Sequence, residues 1–423
     1  MERKISVKKL MLLFVSLLTA TLASADNQGS CGDNLTYKYV EANKTLTISG
    51  SGAMMEFGNT GENRKPWVDF LNEIEHIIIE PGVTSISNSA FRRAEKVETI
   101  ELPAGLTNIG TEAFQYCYGL QALTIPKSVE AIGSHAFEGC SGLTSIVVEE
   151  GNAKYDSRDH CNALIETASD SLLWGCAETT LPEGIASIGH RAFYGCAIRS
   201  VALPKSLNSI GSEAFYGCGY LETVTFEEGL SYIGNSAFEE CRGLTKAQLP
   251  NSVTFLGGAA FKHCAGLDSI SIPNQLTTIE LHLLYGCEKL TKVIIPESVV
   301  DIYDFAFYGC SGLTSMTCLN PTPPRCIGMN ALDVDYTIPL YVPKGCVQKY
   351  QAADYWRNFV NIREVGDESA TSLSALKVEG IQNDTPWYTI GGMRTIPTRP
   401  GIYIKNGKKV LVKSPLDRCS ESE

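Results

Sequence analysis

The chain has 423 residues, with 47 acidic side chains against 35 basic ones, and its formal net charge is −12 at pH 7. An acidic chain of this kind is repelled by nucleic acid and by anionic lipid headgroups, so neither is expected as a partner. The chain has 15 cysteines, a number that in an exported protein is typical of a disulfide framework.

The first 25 residues have the layout of a secretory signal peptide. Four basic residues between positions 3 and 9 precede an apolar run, Leu10–Leu22, and Ala23-Ser24-Ala25 fits a small-residue cleavage site. The apolar run is too short for a comfortable membrane span, and no later segment is long and apolar enough. We expect cleavage near Ala25, and a mature chain that is secreted or lies at the outer cell surface without a transmembrane span.

Residues 26–72 are expected to form an N-terminal β-hairpin cap. The alternating segments Leu35–Val40 and Lys44–Ile48 surround a short polar turn, which is the pattern of a β-hairpin. A hairpin at this position would cover the first open strand edge of the following sheet, which otherwise invites aggregation.

Residues 73–318 carry a repeated motif in which a Phe, usually preceded by Ala, is followed three residues later by a Cys. The motif recurs at about 23 residues, and such a period indicates stacked units that cannot bury their apolar faces alone. Within one repeat, Leu120, Leu123 and Ile125 have the spacing of a short strand. Pro126 ends that strand because proline cannot donate to a strand ladder. The sequence therefore predicts a β-rich solenoid of about ten turns.

The strand pattern L-x-x-L-x-L at this period is that of leucine-rich repeats. The longer motif I-P…V-x-x-I-G-x-x-A-F-x-x-C resembles the BspA-like family of bacterial surface leucine-rich repeat proteins, over about Glu73–Met316. One copy reads Ile125-Pro126, Val129, Ile132-Gly133, Ala136-Phe137 and Cys140. The resemblance implies a role in adhesion or host interaction, with an extracellular protein or glycan as the partner.

One interval of the repeat is longer than the others, since 56 residues separate Phe137 from Phe193. The altered turn over residues 149–181 lacks the Ala-Phe signal. Within it, Asn162–Thr167 and Ser171–Trp174 flank a short polar segment and predict a β-hairpin. Insertions in one repeat map to loops, so we expect this hairpin at the surface of the solenoid.

Eight cysteines share one register of the repeat, so stacking would place them in a column with parallel side chains. A disulfide needs Cβ atoms that point towards each other, whereas free cysteines behave as small buried apolar residues. We therefore expect a structural ladder of reduced, buried thiols at Cys117, Cys140, Cys196, Cys218, Cys241, Cys264, Cys287 and Cys310. Any disulfide is expected among the remaining cysteines, which are Cys31, Cys161, Cys176, Cys318, Cys326, Cys346 and Cys419.

The positions between the apolar strand residues should line the exposed face of the sheet. This face is rich in small, hydroxyl-bearing residues, so it either binds an extended partner through many weak contacts or is a passive face that tolerates curvature. The candidate binding residues are Thr99, Glu101, Thr124, Ser145, Thr223, Thr225, Lys246, Gln248, Ser269, Ser271 and Lys292. A second candidate surface, or simply packing over the turns, is formed by Tyr116, Tyr194, Tyr216 and Tyr308.

The segment Asp156–Cys161 contains the residue types of a catalytic or metal site, namely a Cys, a His and two carboxylates. Neighbours in sequence point in different directions, however, and functional Cys–His pairs are generally brought together by the fold. The histidines occupy unrelated repeat positions, and no established catalytic, phosphate-binding or calcium-binding motif occurs in the sequence. We expect no catalytic residue, metal or cofactor. The alternatives to binding are a structural surface scaffold without a tight ligand and a hydrolase with its site in residues 149–181.

Residues 319–366 are expected to cap the other end of the solenoid, with a helix near Val347–Trp356. Residues 367–423 form a linker and a short strand-rich module, in which Asn406-Gly407 predicts a hairpin turn. This module is similar to the C-terminal sorting regions of secreted proteins from Bacteroidetes-type bacteria, which implies attachment to the cell envelope. A plain accessory β-module is the alternative.

Overall fold

The computed structural model describes residues 27–58 and 64–366, together with the backbone of four short strands between residues 387 and 412. The expected signal peptide 1–25, the linker that follows residue 366, the Asn406-Gly407 turn and Cys419 lie outside the described residues. Among the described residues, no helix has the length and apolar character needed to cross a membrane. The chain divides into two compact units, Met1–Leu221 and Glu222–Glu423, and each contains β-solenoid turns with little helix.

The first unit is built from short strands and three 3-10 turns, at Glu41–Asn43, Leu71–Glu73 and Arg158–His160. Its strands are β1 (Asn27–Gly32), β2 (Leu35–Val40), β3 (Thr45–Gly50), β4 (Gly52–Ala53), β5 (His76–Ile79), β6 (Val83–Ile86), β7 (Thr99–Glu101), β8 (Asn108–Ile109), β9 (Ala122–Ile125), β10 (Ala131–Ile132), β11 (Ser145–Val148), β12 (Tyr155–Asp156), β13 (Ala163–Glu166), β14 (Ser171–Gly175), β15 (Ser187–Ile188), β16 (Ser200–Ala202) and β17 (Ser209–Ile210).

The N-terminal hairpin predicted from the sequence is present as β2 and β3, which pair antiparallel from Leu35↔Gly50 to Val40↔Thr45. Strand β1 adds a third antiparallel strand on the outer side of β2. Strand β3 then pairs in parallel with β5, so the last strand of the hairpin is also the first strand of the repeat column. The hairpin therefore occupies the edge that the column would otherwise leave open.

Each repeat contributes one strand to each of two parallel columns. Strands β9 and β11 pair in the first column with a shift of one repeat, from Ser145↔Ala122 to Val148↔Ile125, while β6, β8 and β10 pair in the second. Side chains alternate along β9, because Leu123 and Ile125 are buried whereas Ala122 and Thr124 are exposed. The period of two in the strand motif thus separates the core from the outer face.

The Ala-Phe-x-x-Cys segment forms the third side of each turn. Its backbone N–H groups donate to carbonyls of the next repeat, for example from Phe91 to Ala113 and from Phe114 to Ala136, both at 2.8 Å. In each of these bonds the N–H group belongs to one repeat and the carbonyl to the repeat that follows it. The carbonyls of the first such segment therefore have no preceding repeat that could donate to them. Trp67 Nε1 donates to the Ala90 carbonyl at 2.8 Å, and Lys65 Nζ donates to the Arg92 carbonyl at 3.2 Å.

The repeated Phe rings stack on one another inside the core. In the first unit the ring centroids of Phe91 and Phe114 are 5.3 Å apart, and those of Phe114 and Phe137 are 5.6 Å apart. Trp67 begins this stack, with its ring 5.2 Å from that of Phe91. In the second unit Phe238 and Phe261 repeat the arrangement at 5.3 Å. Fully buried aromatic rings contribute large apolar areas, so this stack adds substantially to the core on the turn side.

The eight cysteines of the predicted ladder are buried, and none of them forms a disulfide. The Sγ of Cys117 lies 3.4 Å from the carbonyl oxygen of Phe91 in the preceding repeat, and that of Cys218 lies 3.0 Å from Phe193 O. Cys264 makes the same contact in the second unit, at 3.1 Å from Phe238 O. All cysteines outside the ladder that the structure describes are also unpaired.

The altered turn contains the predicted hairpin, as β13 and β14 pair antiparallel between Ala163↔Gly175 and Glu166↔Ser171. The expectation that it lies at the surface is wrong, because Leu164, Ile165 and Leu172 are fully buried and the hairpin forms part of a larger sheet. Strand β14 then pairs in parallel with β15, which returns the chain to the regular repeat. At Gly175 the backbone N–H donates to Ala192 O at 2.9 Å, and an added Cβ would lie 2.0 Å from the Phe193 ring. Glycine is required here because the Phe193 ring fills the space of a side chain.

The second unit continues the same repeat. Its strands are β18 (Thr223–Thr225), β19 (Tyr232–Ile233), β20 (Lys246–Gln248), β21 (Phe255–Leu256), β22 (Ser269–Ser271), β23 (Thr278–Ile279), β24 (Lys292–Ile295), β25 (Asp301–Tyr303), β26 (Ser315–Cys318), β27 (Arg325–Ile327), β28 (Leu340–Val342) and β29 (Ile362–Glu364). A separate antiparallel sheet in the order β31-β30-β32-β33 is formed by β30 (Trp387–Thr389), β31 (Arg394–Thr395), β32 (Gly401–Lys405) and β33 (Lys408–Val412).

The C-terminal part of the solenoid adds strands that the sequence motif does not mark. Strands β28 and β29 extend the parallel column beyond β26, and a helix, α1 (Val347–Ala352), lies between them in the chain near its predicted position. A 3-10 turn, Trp356–Asn358, follows the helix. The described residues form about 13 turns rather than about ten, because β3 at one end and β28 and β29 at the other also stack in parallel.

Candidate binding surfaces

The candidate binding residues of the first unit lie on neighbouring strands of the first column. Thr99 and Glu101 on β7 and Thr124 on β9 are exposed, while Ser145 on β11 is partly exposed. Ser145 pairs with Ala122 and so lies directly beside it along the column. The outer face of these strands is therefore a narrow strip of small and polar side chains.

The second unit carries a longer strip of the same kind. Thr223, Thr225, Lys246 and Gln248 are exposed, and Ser269, Ser271 and Lys292 are partly exposed. Parallel pairing places Lys246 beside Thr223 and Ser269, and Gln248 beside Ser271. Neighbouring strands lie about 4.8 Å apart, so these side chains form two lines of closely spaced polar groups.

This strip ends at β24. The next strand, β26, is buried on both faces, including the hydroxyl-bearing Ser315 and Thr317 at the outward positions. Tyr341 on β28 is buried as well. The sequence does not show that the polar strip ends here, because β26 also alternates apolar residues with the hydroxyl-bearing Ser315 and Thr317.

The tyrosines near the ladder cysteines differ between the two units. In the first unit Tyr194 and Tyr216 stack at 5.0 Å, the Arg191 guanidinium lies 5.1 Å over the Tyr194 ring, and the Tyr116 hydroxyl donates to Glu138. These rings pack over the turns. In the second unit, Tyr308 is 39% exposed and stacks on Tyr285.

A buried polar cluster crosses the altered turn of the first unit. The Glu138 carboxylate is fully buried and accepts hydrogen bonds from Arg191 Nη1 at 3.1 Å and from the Tyr116 hydroxyl at 3.2 Å. His135 Nδ1 also lies against this carboxylate, and the Arg191 guanidinium reaches Glu213 at 2.8 Å. The sequence does not reveal this cluster, since 53 residues separate Glu138 from Arg191. The sequence signal for this cluster is the acidic residue Glu138, which directly follows the core residue Phe137.

The segment Asp156–Cys161 does not form a nucleophile. Arg158 binds both Asp156 and Asp170 at 2.8 Å, so the nearby carboxylates neutralise a guanidinium. The Cys161 side chain is buried and its burial raises the pKa of the thiol, whereas His160 is exposed. A reactive cysteine needs a lowered pKa and access to solvent, and Cys161 has neither. Among the described residues, no group of three or more His, Cys, Asp or Glu side chains could hold a metal ion.

Burial also determines the chemistry of the cysteine ladder. It raises the pKa of the Cys196 and Cys310 thiols from 9.0 to about 12, and it raises the pKa of Cys218 and Cys287 as well. At neutral pH these side chains are thiols rather than thiolates. Because only the thiolate attacks disulfides and alkylating reagents, the ladder is chemically protected in the native state.

The repeated strands, the aromatic stack and the single register of cysteines together define a leucine-rich repeat solenoid. The chain belongs to the BspA type leucine rich repeat family, whose model matches residues 70–168, 175–284 and 231–332 with 6 copies of the repeat. This confirms the resemblance inferred from the sequence motif.

Three crystal structures of bacterial proteins are similar to this chain. A leucine-rich repeat protein from Eubacterium ventriosum is 19% identical, over 69% of this chain and 90% of that one, with a TM-score of 0.48. A leucine rich cell surface protein from Faecalibacterium prausnitzii is 21% identical, over 82% and 96%, with a TM-score of 0.44. A leucine-rich repeat protein from Bacteroides ovatus is 20% identical, over 79% and 99%, with a TM-score of 0.46. The comparison with curated proteins gives no match.

The buried cluster around Glu138 predicts a large cost for removing its cation. Arg191→Met would leave the Glu138 carboxylate buried without its main counter-charge, which should reduce the free energy of unfolding by about 3–5 kcal/mol. Arg242→Met is the matched control, because the Arg242 side chain is 70% exposed and its pair with Glu240 should contribute little. Urea unfolding followed by circular dichroism measures both variants. Equal midpoints for the two variants would contradict the assigned role.

The cysteine ladder predicts how stability depends on pH. The folded thiols keep their protons to about pH 12, whereas unfolded thiols lose them near pH 9.0. The native state therefore binds more protons in this window, so the free energy of unfolding should fall as the pH rises from 9 to 12. Denaturant titrations at a series of pH values measure this change.

Iodoacetamide at pH 8 should modify the cysteines of the native ladder slowly and those of the unfolded chain quickly. Rapid labelling of the native protein would disprove the buried ladder.

Proposed function

We propose that this chain is a secreted or cell-surface protein whose strand faces bind an extracellular protein or glycan. Membership of the BspA type family supports a bacterial leucine-rich repeat protein as the class. The leader-like residues 1–25 support export, since their basic start, apolar run and small-residue site match a signal peptide. Adhesion or another host interaction is the role that follows for such a protein.

The observation that carries the proposal is the continuous polar strip on β18, β20, β22 and β24. Parallel pairing holds the side chains of β18, β20 and β22 in register, and β24 follows them in the next repeat. These side chains are exposed or partly exposed, so a partner can contact several repeats at once. Repeat proteins use extended surfaces of this kind for binding. Exposed groups such as Thr225 and Gln248 offer hydroxyl and amide hydrogen bonds, which suit both polypeptide backbones and sugars.

The composition of the strip predicts how the partner is held. The named residues include no Trp, Tyr or Phe, which are the side chains that most often dominate the binding energy of an interface. Binding therefore depends on many small contributions and on the length of strip that the partner covers. The exposed Lys246 adds a positive charge to this face of an acidic chain.

Two substitutions on the strip test the binding role. The mature chain, residues 26–423, is immobilised and titrated with a panel of extracellular-matrix proteins and glycans by biolayer interferometry. Thr225→Arg and Gln248→Arg together place two long cations on the strip, and we expect about tenfold weaker binding of any ligand found, or ~1.4 kcal/mol. Thr277→Arg is the control, because Thr277 is an exposed threonine outside the strip. If no probe binds saturably, the structural scaffold becomes the better interpretation.

The C-terminal strand module supplies a test of localisation. If residues 367–423 attach the protein to the cell envelope, cells that express the whole chain should retain it in the envelope fraction. Deletion of these residues should move about tenfold more of the protein into the medium, since the solenoid strands β1 to β29 do not include the module. Fractionation followed by immunoblotting measures the ratio. An unchanged ratio would favour an accessory module without a sorting role.

A further inference from the structure

We infer that an aromatic cluster on the turn side of the second unit is a contact surface for a protein segment that presents an aromatic side chain. The cluster consists of His263, His282, Tyr285, Phe305 and Tyr308. It lies on the side of the Ala-Phe turns and not on the strand face, so it is a second surface. The inference rests on the proposed binding function and assigns a partner class to this surface.

The five rings form one connected group. Tyr285 stacks on Tyr308 at 4.9 Å, and His282 stacks on Phe305 at 5.4 Å. The two stacks meet edge-on, with Phe305 5.6 Å from Tyr308 and His282 5.4 Å from Tyr285. His263 completes the group with its ring 5.2 Å from Tyr285. Each contact has the separation of a favourable aromatic pair, so the rings hold one another in place.

The cluster is not part of the core. Its rings are partly exposed, and Tyr308 is 39% exposed. The hydroxyls of Tyr285 and Tyr308 make no hydrogen bond to another described residue, whereas the Tyr116 hydroxyl in the first unit is bound to Glu138. Solvent-facing aromatic rings whose hydroxyls are not engaged within the chain have the composition of a protein-binding hot spot.

Large apolar side chains continue along the same side of the turns. Leu281, which precedes His282, is 44% exposed. Met329 is 85% exposed and precedes Asn330, whose carbonyl accepts a hydrogen bond from the Phe305 N–H. Together with the rings they make a concentrated apolar area, which on a soluble protein usually marks an interaction site.

The backbone conformation at Phe305 belongs to the repeat and not to this surface alone. Phe305 has a φ of 57°, and the same repeat position is left-handed at Ser236, Ala259 and His282, with φ of 54°, 57° and 58°. What distinguishes Phe305 is its side chain, because a large apolar ring at this position is partly exposed and is not part of the core.

The arrangement of the rings selects the class of partner. One face of Tyr285 is next to the Lys262 ammonium at 5.9 Å and the other next to Tyr308, so its faces are occupied by the chain itself. Lys262 is in turn neutralised by Glu239 at 2.7 Å. A sugar stacks on a free ring face, which Tyr285 lacks. The remaining ring edges carry positive potential and suit the face of an incoming aromatic ring, with the hydroxyls left to bind backbone carbonyls.

The experiment uses the mature chain labelled with 3-fluorotyrosine, observed by ¹⁹F NMR. The probes are blocked peptides GSGSXGSGS in which X is Trp, Phe or Ser. We expect the Trp and Phe peptides to bind about fivefold more tightly than the Ser peptide, the size of one or two aromatic pairs. Tyr308→Ser should remove this preference. Tyr220→Ser should keep it, because Tyr220 is a 63% exposed tyrosine in the first unit.

A second variant separates binding from folding. Phe305→Asn places a residue that tolerates a positive φ at this position, so the stability of the chain should be retained or increased while the preference for Trp is lost. Equal binding of the Trp and Ser peptides to the unmodified chain, or a preference unaffected by Phe305→Asn, would overturn the inference. So would binding of maltoheptaose that Tyr308→Ser abolishes, since that would make the cluster a glycan site.

The strand-face variants distinguish this inference from the proposed function. Thr225→Arg with Gln248→Arg should leave the Trp peptide bound as before, because neither residue belongs to the aromatic cluster. Loss of matrix-protein binding in that variant, with peptide binding intact, would support the two surfaces separately. Loss of the peptide preference in the strand-face variant would overturn the assignment to the cluster.

Discussion

The structure depends on one contact that recurs through most of the regular repeats, between a buried Phe ring and the ring of the preceding repeat, with Leu284 in place of the Phe in one repeat. Phe91 and Phe114 stack at 5.3 Å, and Cys117 Sγ reaches the Phe91 carbonyl at 3.4 Å. One repeat alone would leave these groups exposed, so each turn is stable only beside a neighbour. Cysteine suits this site because it is small and apolar and can still donate weakly to a carbonyl.

Interruptions of this contact are compensated by specific side chains. At the first repeat, Trp67 stacks on Phe91 and donates to the Ala90 carbonyl, so one residue continues the ring stack and satisfies the open backbone. At the altered turn, the Trp174 ring meets Phe137 edge-on at 5.9 Å, and Arg191 binds the buried Glu138. Charge and hydrogen bonding thus replace regular packing where the repeat is broken, as buried polar groups require.

The regular interior leaves the outer positions of each repeat free to specialise. The position two residues before the core Phe carries Arg191 and Glu213 in the first unit, where they pair with each other. In the second unit it carries Phe305 and, in the repeat where Leu284 replaces the Phe, His282; these two rings stack. The backbone is left-handed at all four residues, so the change is one of surface chemistry alone. A repeat scaffold can in this way present a polar strand face and an aromatic turn face on similar turns.

The sequence by itself determined the repeat, its strands, both hairpins and the burial of Leu123, Ile125 and the ladder cysteines. These features follow from spacing within one repeat, because strand alternation and stacking at a fixed period are local rules. Only the tertiary structure decided the bond between Glu138 and Arg191, the burial of Ser315 and the additional turns at both ends. These features arise where the chain departs from the regular repeat, so the period does not predict them. Glu138 and Arg191, for example, are 53 residues apart, a separation that is not a multiple of the repeat and does not reveal their contact.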